Sequence, residues 1–159
     1  MILMSRNEEG YQLERYLGYL QQVRTSLPEG AQSFALADWH YDLAHSKCPH
    51  DSWLETVTLR ELSQGTRMEI RGLEITAKFL GAYHDGFFEI IYKDVQSYSL
   101  VLPKERGRSA VVAHGDWIID EIFLTEEGSV SHEILFSESG VWKIVCRDLL
   151  YQWCNVQQA

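Results

Sequence analysis

The chain has 159 residues, 45% of them apolar and 23% charged, a composition typical of one globular domain spanning residues 1–159. Its formal net charge of −9 disfavours nucleic-acid binding, because that binding depends on clustered Lys and Arg. No apolar run is long enough for a signal peptide or a membrane-spanning helix, so we expect neither secretion nor membrane association.

The N-terminal part, residues 5–38, is predicted to be helical. Ser5 and Glu8 have the spacing of a capping box, and the residues after them show the 3.6-residue period of an amphipathic helix. The apolar stripe consists of Leu13, Tyr16, Leu17, Leu20, Val23 and Leu27. Pro28 and Gly30 end this helix, and a short second helix is expected over Ala31–Asp38. A connecting loop, residues 39–51, follows.

Residues 52–154 are predicted to form a sheet, because apolar side chains alternate with a period of two from Trp53 onward. Gly72 separates two apolar runs that are out of phase, which indicates a β-bulge. Asp85-Gly86 is typical of a hairpin turn. We therefore expect an α+β protein, in which an N-terminal helix or helix pair packs on an antiparallel, meander-rich sheet of about seven strands.

The connecting loop carries the densest group of reactive side chains. His45, Cys48 and His50 supply three potential metal ligands within six residues, and His84 could complete the set from a distant turn. This spacing differs from that of zinc fingers and ribbons, so a structural role remains the competing interpretation, with Cys48 packed as a small apolar residue. A thiolate–imidazolium pair between Cys48 and one of these histidines is a further alternative.

A second feature is an acidic stretch: no Lys or Arg occurs between Arg108 and Lys143. Its acidic residues are Asp116, Asp120, Glu121, Glu126, Glu127, Glu133 and Glu138. Such a stretch forms either a solvated face that aids solubility or a surface that attracts a basic protein partner.

Three strings, His50–Glu55, Gly81–Gly86 and His132–Ser137, resemble those of a group of small bacterial proteins of unknown function. The resemblance covers Tyr41–Asp148 and includes no known catalytic motif. It implies a bacterial origin and no activity.

The sequence favours a non-enzymatic, acidic protein-interaction domain of the inhibitor or immunity type. The alternative is a metal-binding protein or metal-dependent hydrolase that uses His45, Cys48 and His50. A small-ligand pocket between the helices and the sheet is a third possibility. We expect no cofactor, with zinc or another divalent ion as the alternative. The three cysteines are widely spaced, which favours free thiols and a reducing cytoplasm. Oligomeric state stays open.

Overall fold

The computed structural model of the protein describes residues 6–7, 10–11, 13–102, 113–137 and 140–156. Two short strands, β1 (Arg6–Asn7) and β2 (Gly10–Tyr11), pair as an antiparallel ribbon, so the helix predicted to begin near Ser5 begins later. The Ser5 and Glu8 positions of the predicted capping box lie outside the described residues.

Helix α1 spans Leu13–Val23, a single 3-10 turn follows at Arg24–Ser26, and α2 spans Glu29–Ala35. The predicted apolar stripe of α1 is buried at Tyr16 and Leu20, whereas Leu17 is 37% exposed. Pro28 lies between the helices as the N-cap of α2, but Gly30, predicted to end the first helix, lies inside α2, which spans Glu29–Ala35 rather than Ala31–Asp38. In the described part of the chain, no helix is long and apolar enough to cross a membrane.

The main sheet has six strands, β3 (Trp53–Gln64), β4 (Ile70–Leu80), β5 (Gly86–Val101), β6 (Trp117–Leu124), β7 (Val130–Phe136) and β8 (Val141–Asn155). Their order is β3-β4-β5-β8-β7-β6, and every neighbouring pair is antiparallel. Two runs of three sequential strands therefore meet where β5 pairs with β8. The protein is of the α+β class.

The sheet has six strands rather than about seven because two predicted strands are parts of one. The apolar pattern predicts one strand over Phe87–Lys93 and another over Val95–Leu102, yet β5 runs through Asp94 with a φ of 49° and a register shift between Val95 and Ser97. A bulge bends a strand without ending its hydrogen bonding. The last strand, predicted over Val141–Asp148 with a separate strand or short helix over Leu149–Cys154, continues as β8 to Asn155, which extends the pairing with β5.

A turn between β4 and β5 is confirmed over residues 82–85, although Gly86 already begins β5. The backbone N–H of Gly81 donates to the carbonyl of Gly86 across it (2.9 Å). The bulge predicted at Gly72 is wrong, because Leu62 and Gly72 pair in uninterrupted register. The irregularity in the β3–β4 pair falls between Leu54 and Thr56 instead.

Hydrogen bonds to a carboxylate, in addition to apolar packing, attach α2 to the sheet. Asp148 on β8 accepts hydrogen bonds from the backbone N–H groups of Gly30 and Ala31, at 3.1 and 2.9 Å. A Cβ atom at Gly30 would lie only 1.9 Å from the carbonyl oxygen of Leu149, so only glycine allows this close approach. The core beneath contains the buried side chains of Phe34, Phe79 and Trp142.

We expect Gly30→Ala to lower the free energy of unfolding by about 1–3 kcal/mol or more, because α2 must move away from β8. Gly18→Ala is the matched control: it lies in α1 with no atom within 4 Å of its Cβ position, and should raise stability by about 0.5–1 kcal/mol. Urea denaturation measures both. Equal stability of the two variants would contradict the close packing of α2 on β8.

Candidate functional site

The predicted acidic face is divided between the interior and the surface. Asp120 and Glu121 are 3% and 1% exposed, so neither carboxylate lies on a surface open to a partner. Glu133 is 8% exposed, and Lys143 donates to its Oε1 at 2.7 Å. The Lys143 hydrogen bond holds the pKa of Glu133 below its usual range, although burial alone would raise it.

The remaining acidic residues of the stretch lie at opposite ends of β6. Glu126 and Glu127 are exposed in the turn that follows this strand. Asp116 is half-buried immediately before it and forms an isolated bridge with Trp53. Glu138 lies outside the described residues. The seven predicted residues therefore do not form one surface. An acidic surface stays a prediction only for the exposed residues among them.

The Asp120 carboxylate is the centre of a buried hydrogen-bond network, hereafter the Asp120 network. Its Oδ1 accepts from His40 Nε2 at 3.0 Å and from Trp117 Nε1 at 3.2 Å. Its Oδ2 lies 3.0 Å from His132 Nε2. The Nδ1 atom of His132 in turn lies 2.9 Å from the Tyr92 hydroxyl.

The geometry of the Asp120 network determines where its protons reside. His40 Nδ1 faces the carbonyl oxygen of Phe34 at 2.8 Å, and its Nε2 faces the carboxylate. A carbonyl and a carboxylate oxygen both accept, so a His40 ring that donates from both nitrogens, as the positively charged form does, satisfies both contacts. His132 needs only its Nε2 proton, because the Tyr92 hydroxyl can donate to Nδ1.

Two opposing effects act on Asp120. Burial would raise the pKa of its carboxyl, but the positive charge of His40 and the hydrogen bonds from His132 and His40 outweigh burial. The pKa of Asp120 therefore lies well below its usual range, and the group is ionised at neutral pH. Burial also raises the pKa of Tyr92 well above its ordinary value, so its hydroxyl keeps its proton.

A bulge explains why sequence reasoning missed Asp120 as an interior residue. Strict alternation along β6 would place Trp117 and Asp120 on opposite faces. The register shifts between Trp117 and Ile119, so Trp117 pairs with Phe136 and Asp120 pairs with Ile134. Phe136 and Ile134 share one face of β7, and the bulge thus turns Asp120 towards the core. No local signal in the sequence marks this shift.

The predicted metal ligands do not converge. His45 Nδ1 accepts from the backbone N–H of Lys47 at 3.1 Å, and the His84 ring packs edge-on against Trp53 with centroids 4.9 Å apart. His50 Nδ1 lies 3.2 Å from Asp51 Oδ2. Within residues 13–102, 113–137 and 140–156, no group of three or more His, Cys, Asp or Glu side chains could hold a metal ion.

Cys48 lies in the interior, where its Sγ donates to the carbonyl oxygen of His40 at 3.0 Å and its side chain is 3% exposed. Burial raises the pKa of this thiol to about 11, against a smaller lowering by a hydrogen bond from the backbone of His50. The thiol is therefore protonated at neutral pH, which disfavours the nucleophilic role considered for it.

A group of exposed large apolar side chains lies outside the predicted site residues. Leu43 is 63% exposed, Tyr83 56% and Trp53 49%. The Tyr83 hydroxyl donates to the carbonyl of Leu43 (3.3 Å), and Trp53 contacts His84, the neighbour of Tyr83. These three residues, Leu43, Trp53 and Tyr83, form one surface, hereafter the apolar patch.

Two residues beside the apolar patch have left-handed backbone conformations: Asp51, with a φ of 61°, and His84, with a φ of 56°. Non-glycine residues rarely adopt this conformation, and it is frequent at functional sites. Acidic residues neighbour the patch residues along the chain. Besides Asp51, they are Asp42, Glu55, Asp85 and Asp116, the last through its bridge to Trp53.

No protein-family model matches the chain, and comparison with curated proteins and with solved structures gives no match either. The candidate sites are therefore judged on their own geometry. These are the Asp120 network inside the fold and the apolar patch on its surface.

We expect Asp120→Asn to lower the free energy of unfolding by about 3–5 kcal/mol, because it leaves the His40 charge buried without its counter-charge. Glu126→Gln, an exposed carboxylate on the same strand–turn unit, should change it by less than about 0.5 kcal/mol. Thermal or urea unfolding compares the two. If Asp120→Asn were as mild as the control, the ion pair would not be a principal support of the fold.

The Asp120 carboxyl should stay ionised in the folded protein at pH values below about 3.9, the ordinary value for aspartate. Because its folded-state pKa is lowered, its contribution to stability is fully present above that ordinary value. The contribution is lost as the pH falls towards the folded-state pKa. A titration of the side-chain carboxyl ¹³C shift by NMR measures this directly. Protonation at or above pH 3.9 would show that His40 and His132 do not stabilise the anion.

Proposed function

We propose that this chain is a non-enzymatic protein-interaction domain of the inhibitor or immunity type. It would bind a basic protein through the apolar patch and the carboxylates around it. The single observation that carries the proposal is the joint exposure of Leu43, Trp53 and Tyr83 from three separate segments, each with acidic residues close by in the chain.

The residue types of the apolar patch are typical of a surface that binds another protein. Trp and Tyr are the residues most enriched at the energetic centres of protein interfaces, because their large rings bury much apolar area at small entropic cost. Acidic groups around such a centre select a basic partner and speed its approach. The net charge of −9 acts in the same direction over longer distances.

The loop that carries Leu43 is held in place before any partner binds. His40 anchors it to Asp120, and Cys48 Sγ donates to the carbonyl of His40. The Tyr151 hydroxyl on β8 donates to the carbonyl of Lys47 at 3.0 Å. A surface that is already ordered loses less conformational entropy on binding, which favours affinity.

The Asp120 network supports a non-enzymatic role. Catalytic acids and bases need a polar atom that can reach the substrate. Here both nitrogens of His40, both nitrogens of His132 and both carboxylate oxygens of Asp120 are already bonded inside the protein. The network therefore acts as a support for the fold and for the loop above it.

We also infer a reducing location, the bacterial cytoplasm, for this domain. Cys48, Cys146 and Cys154 are all free thiols, and two of them are buried. Unpaired cysteines of this kind are typical of proteins that fold in a reducing compartment.

We expect Trp53→Ala and Tyr83→Ala each to weaken binding of a captured and purified basic partner by about 30-fold or more, since each removes a central aromatic contact. Tyr98→Ala is the matched control. Tyr98 is 48% exposed on the same strand that follows the Tyr83 turn, but about 35 Å farther along β5. Surface plasmon resonance measures the three dissociation constants.

Charge reversal at two places compares the apolar patch with the turn after β6. Glu55→Lys with Asp85→Lys, beside the apolar patch, should slow association and reduce its dependence on salt. Glu126→Lys with Glu127→Lys changes the net charge by the same amount at the far turn and should have little effect. Two results would show that the interface lies elsewhere. One is that the first pair of substitutions leaves partner binding unchanged while the second pair abolishes it, and the other is that Trp53→Ala binds the partner with unchanged affinity.

A further inference from the structure

A cavity of about 230 Å³ lies between β6, the start of α1 and the loop that carries His40. Tyr41, Trp117, Ile118 and Ile119 form its walls. Leu43 and His50 also line it, and both side chains are partly exposed. The cavity therefore opens to solvent beside the apolar patch and ends against buried residues.

The bulge in β6 makes this cavity. In a regular strand, consecutive residues point to opposite faces, whereas Ile118 and Ile119 both line the same cavity. The register shift between Trp117 and Ile119 accounts for this arrangement. Hydrogen bonds hold the walls: the Tyr41 hydroxyl donates to the carbonyl of Asp120 at 3.3 Å, and Asp51 N–H donates to the carbonyl of Trp117 at 2.8 Å.

The size of the cavity suits a ligand with a single ring. An apolar cavity of about 150 Å³ is large enough to bind benzene, so about 230 Å³ holds one ring with a small substituent. The walls offer the faces and edges of Tyr41 and Trp117, which favour an aromatic over an aliphatic ring.

Polar groups at the cavity restrict the charge of the ligand. The carboxylate of Asp120 is neutralised by His40 and is fully occupied, so it offers a ligand neither charge nor a hydrogen bond. His50 Nδ1 lies 3.2 Å from Asp51 Oδ2, which leaves its Nε2 to bond a polar substituent. The Asp51 carboxylate beside His50 repels an anion.

We propose that this cavity binds a small, uncharged aromatic molecule with a hydroxyl substituent. Its ring lies among Tyr41, Trp117 and the two isoleucines, and its hydroxyl bonds His50. Ligand binding in this cavity needs no protein partner. It therefore goes beyond the interaction proposed above and is tested separately from it.

The test is a titration of the protein with p-cresol, toluene and p-toluate, followed by NMR. p-Cresol should give saturable shifts of the Trp117 indole N–H signal, which reports on the cavity because this group donates to Asp120. Toluene should bind several-fold more weakly, since it lacks the hydroxyl. p-Toluate should give no saturable shift, because it is an anion of similar size.

Two variants locate the site. Leu43→Trp fills the open side and should weaken p-cresol and toluene about tenfold or more, whereas Leu59→Trp, at a residue 44% exposed on β3, should change neither. His50→Leu should weaken p-cresol about 3- to 10-fold and leave toluene unchanged.

Several results would overturn the proposal. These are the absence of saturable shifts with p-cresol, binding of p-toluate as tight as that of p-cresol, or equal effects of Leu43→Trp and Leu59→Trp. Loss of toluene binding in His50→Leu to the same extent as p-cresol would also count against it, because His50 would then act only as part of the wall.

Discussion

One buried carboxylate connects parts of the chain that are far apart in sequence. Asp120 on β6 is bonded to His40 from the loop after α2, to His132 on β7 and, through His132, to Tyr92 on β5. An ionised carboxylate in the interior is costly unless it is paired and fully hydrogen-bonded. The fold meets this requirement only when the loop, the edge strand and the centre of the sheet are all in place. The Asp120 network can therefore form only when these distant segments have assembled in the tertiary structure.

The position of the connecting loop depends on that constraint. Because His40 is fixed against Asp120, the residues after it are held over the end of β6 and beside the β4–β5 turn. The loop then exposes Leu43 near Tyr83 and Trp53, and it closes a cavity against Ile118 and Ile119 that Leu43 also lines. Both proposed sites are thus products of the same anchored segment. The residues His45, Cys48 and His50, which the sequence offers as potential metal ligands, have a structural role here. Each contacts a neighbouring backbone group or side chain.

Local sequence signals predicted the local structure well. The change of period at Trp53, the Asp85-Gly86 turn and the short connections in the last third correspond to strands and turns of an antiparallel sheet. The predicted strand boundaries differ from the structure where a strand passes through an irregularity. Asp94 interrupts the pattern of β5 but not its hydrogen bonds, so two predicted strands are one. The apolar pattern also predicts a bulge at Gly72, although the pairing there is regular and Leu73 is only half-buried.

The sequence by itself determined the α+β class, the helix–loop–sheet order and the acidic character, because each follows from periodicity, turn residues or composition within a short window. Only the tertiary structure decided which polar residues are buried and which apolar ones are exposed. A one-residue bulge in β6 turned Asp120 from the predicted surface into the core. The approach of the loop to the β4–β5 turn brought Leu43 beside Tyr83, 40 residues away in sequence. Such contacts depend on strand register and on pairings between distant segments, which no local pattern of residues encodes.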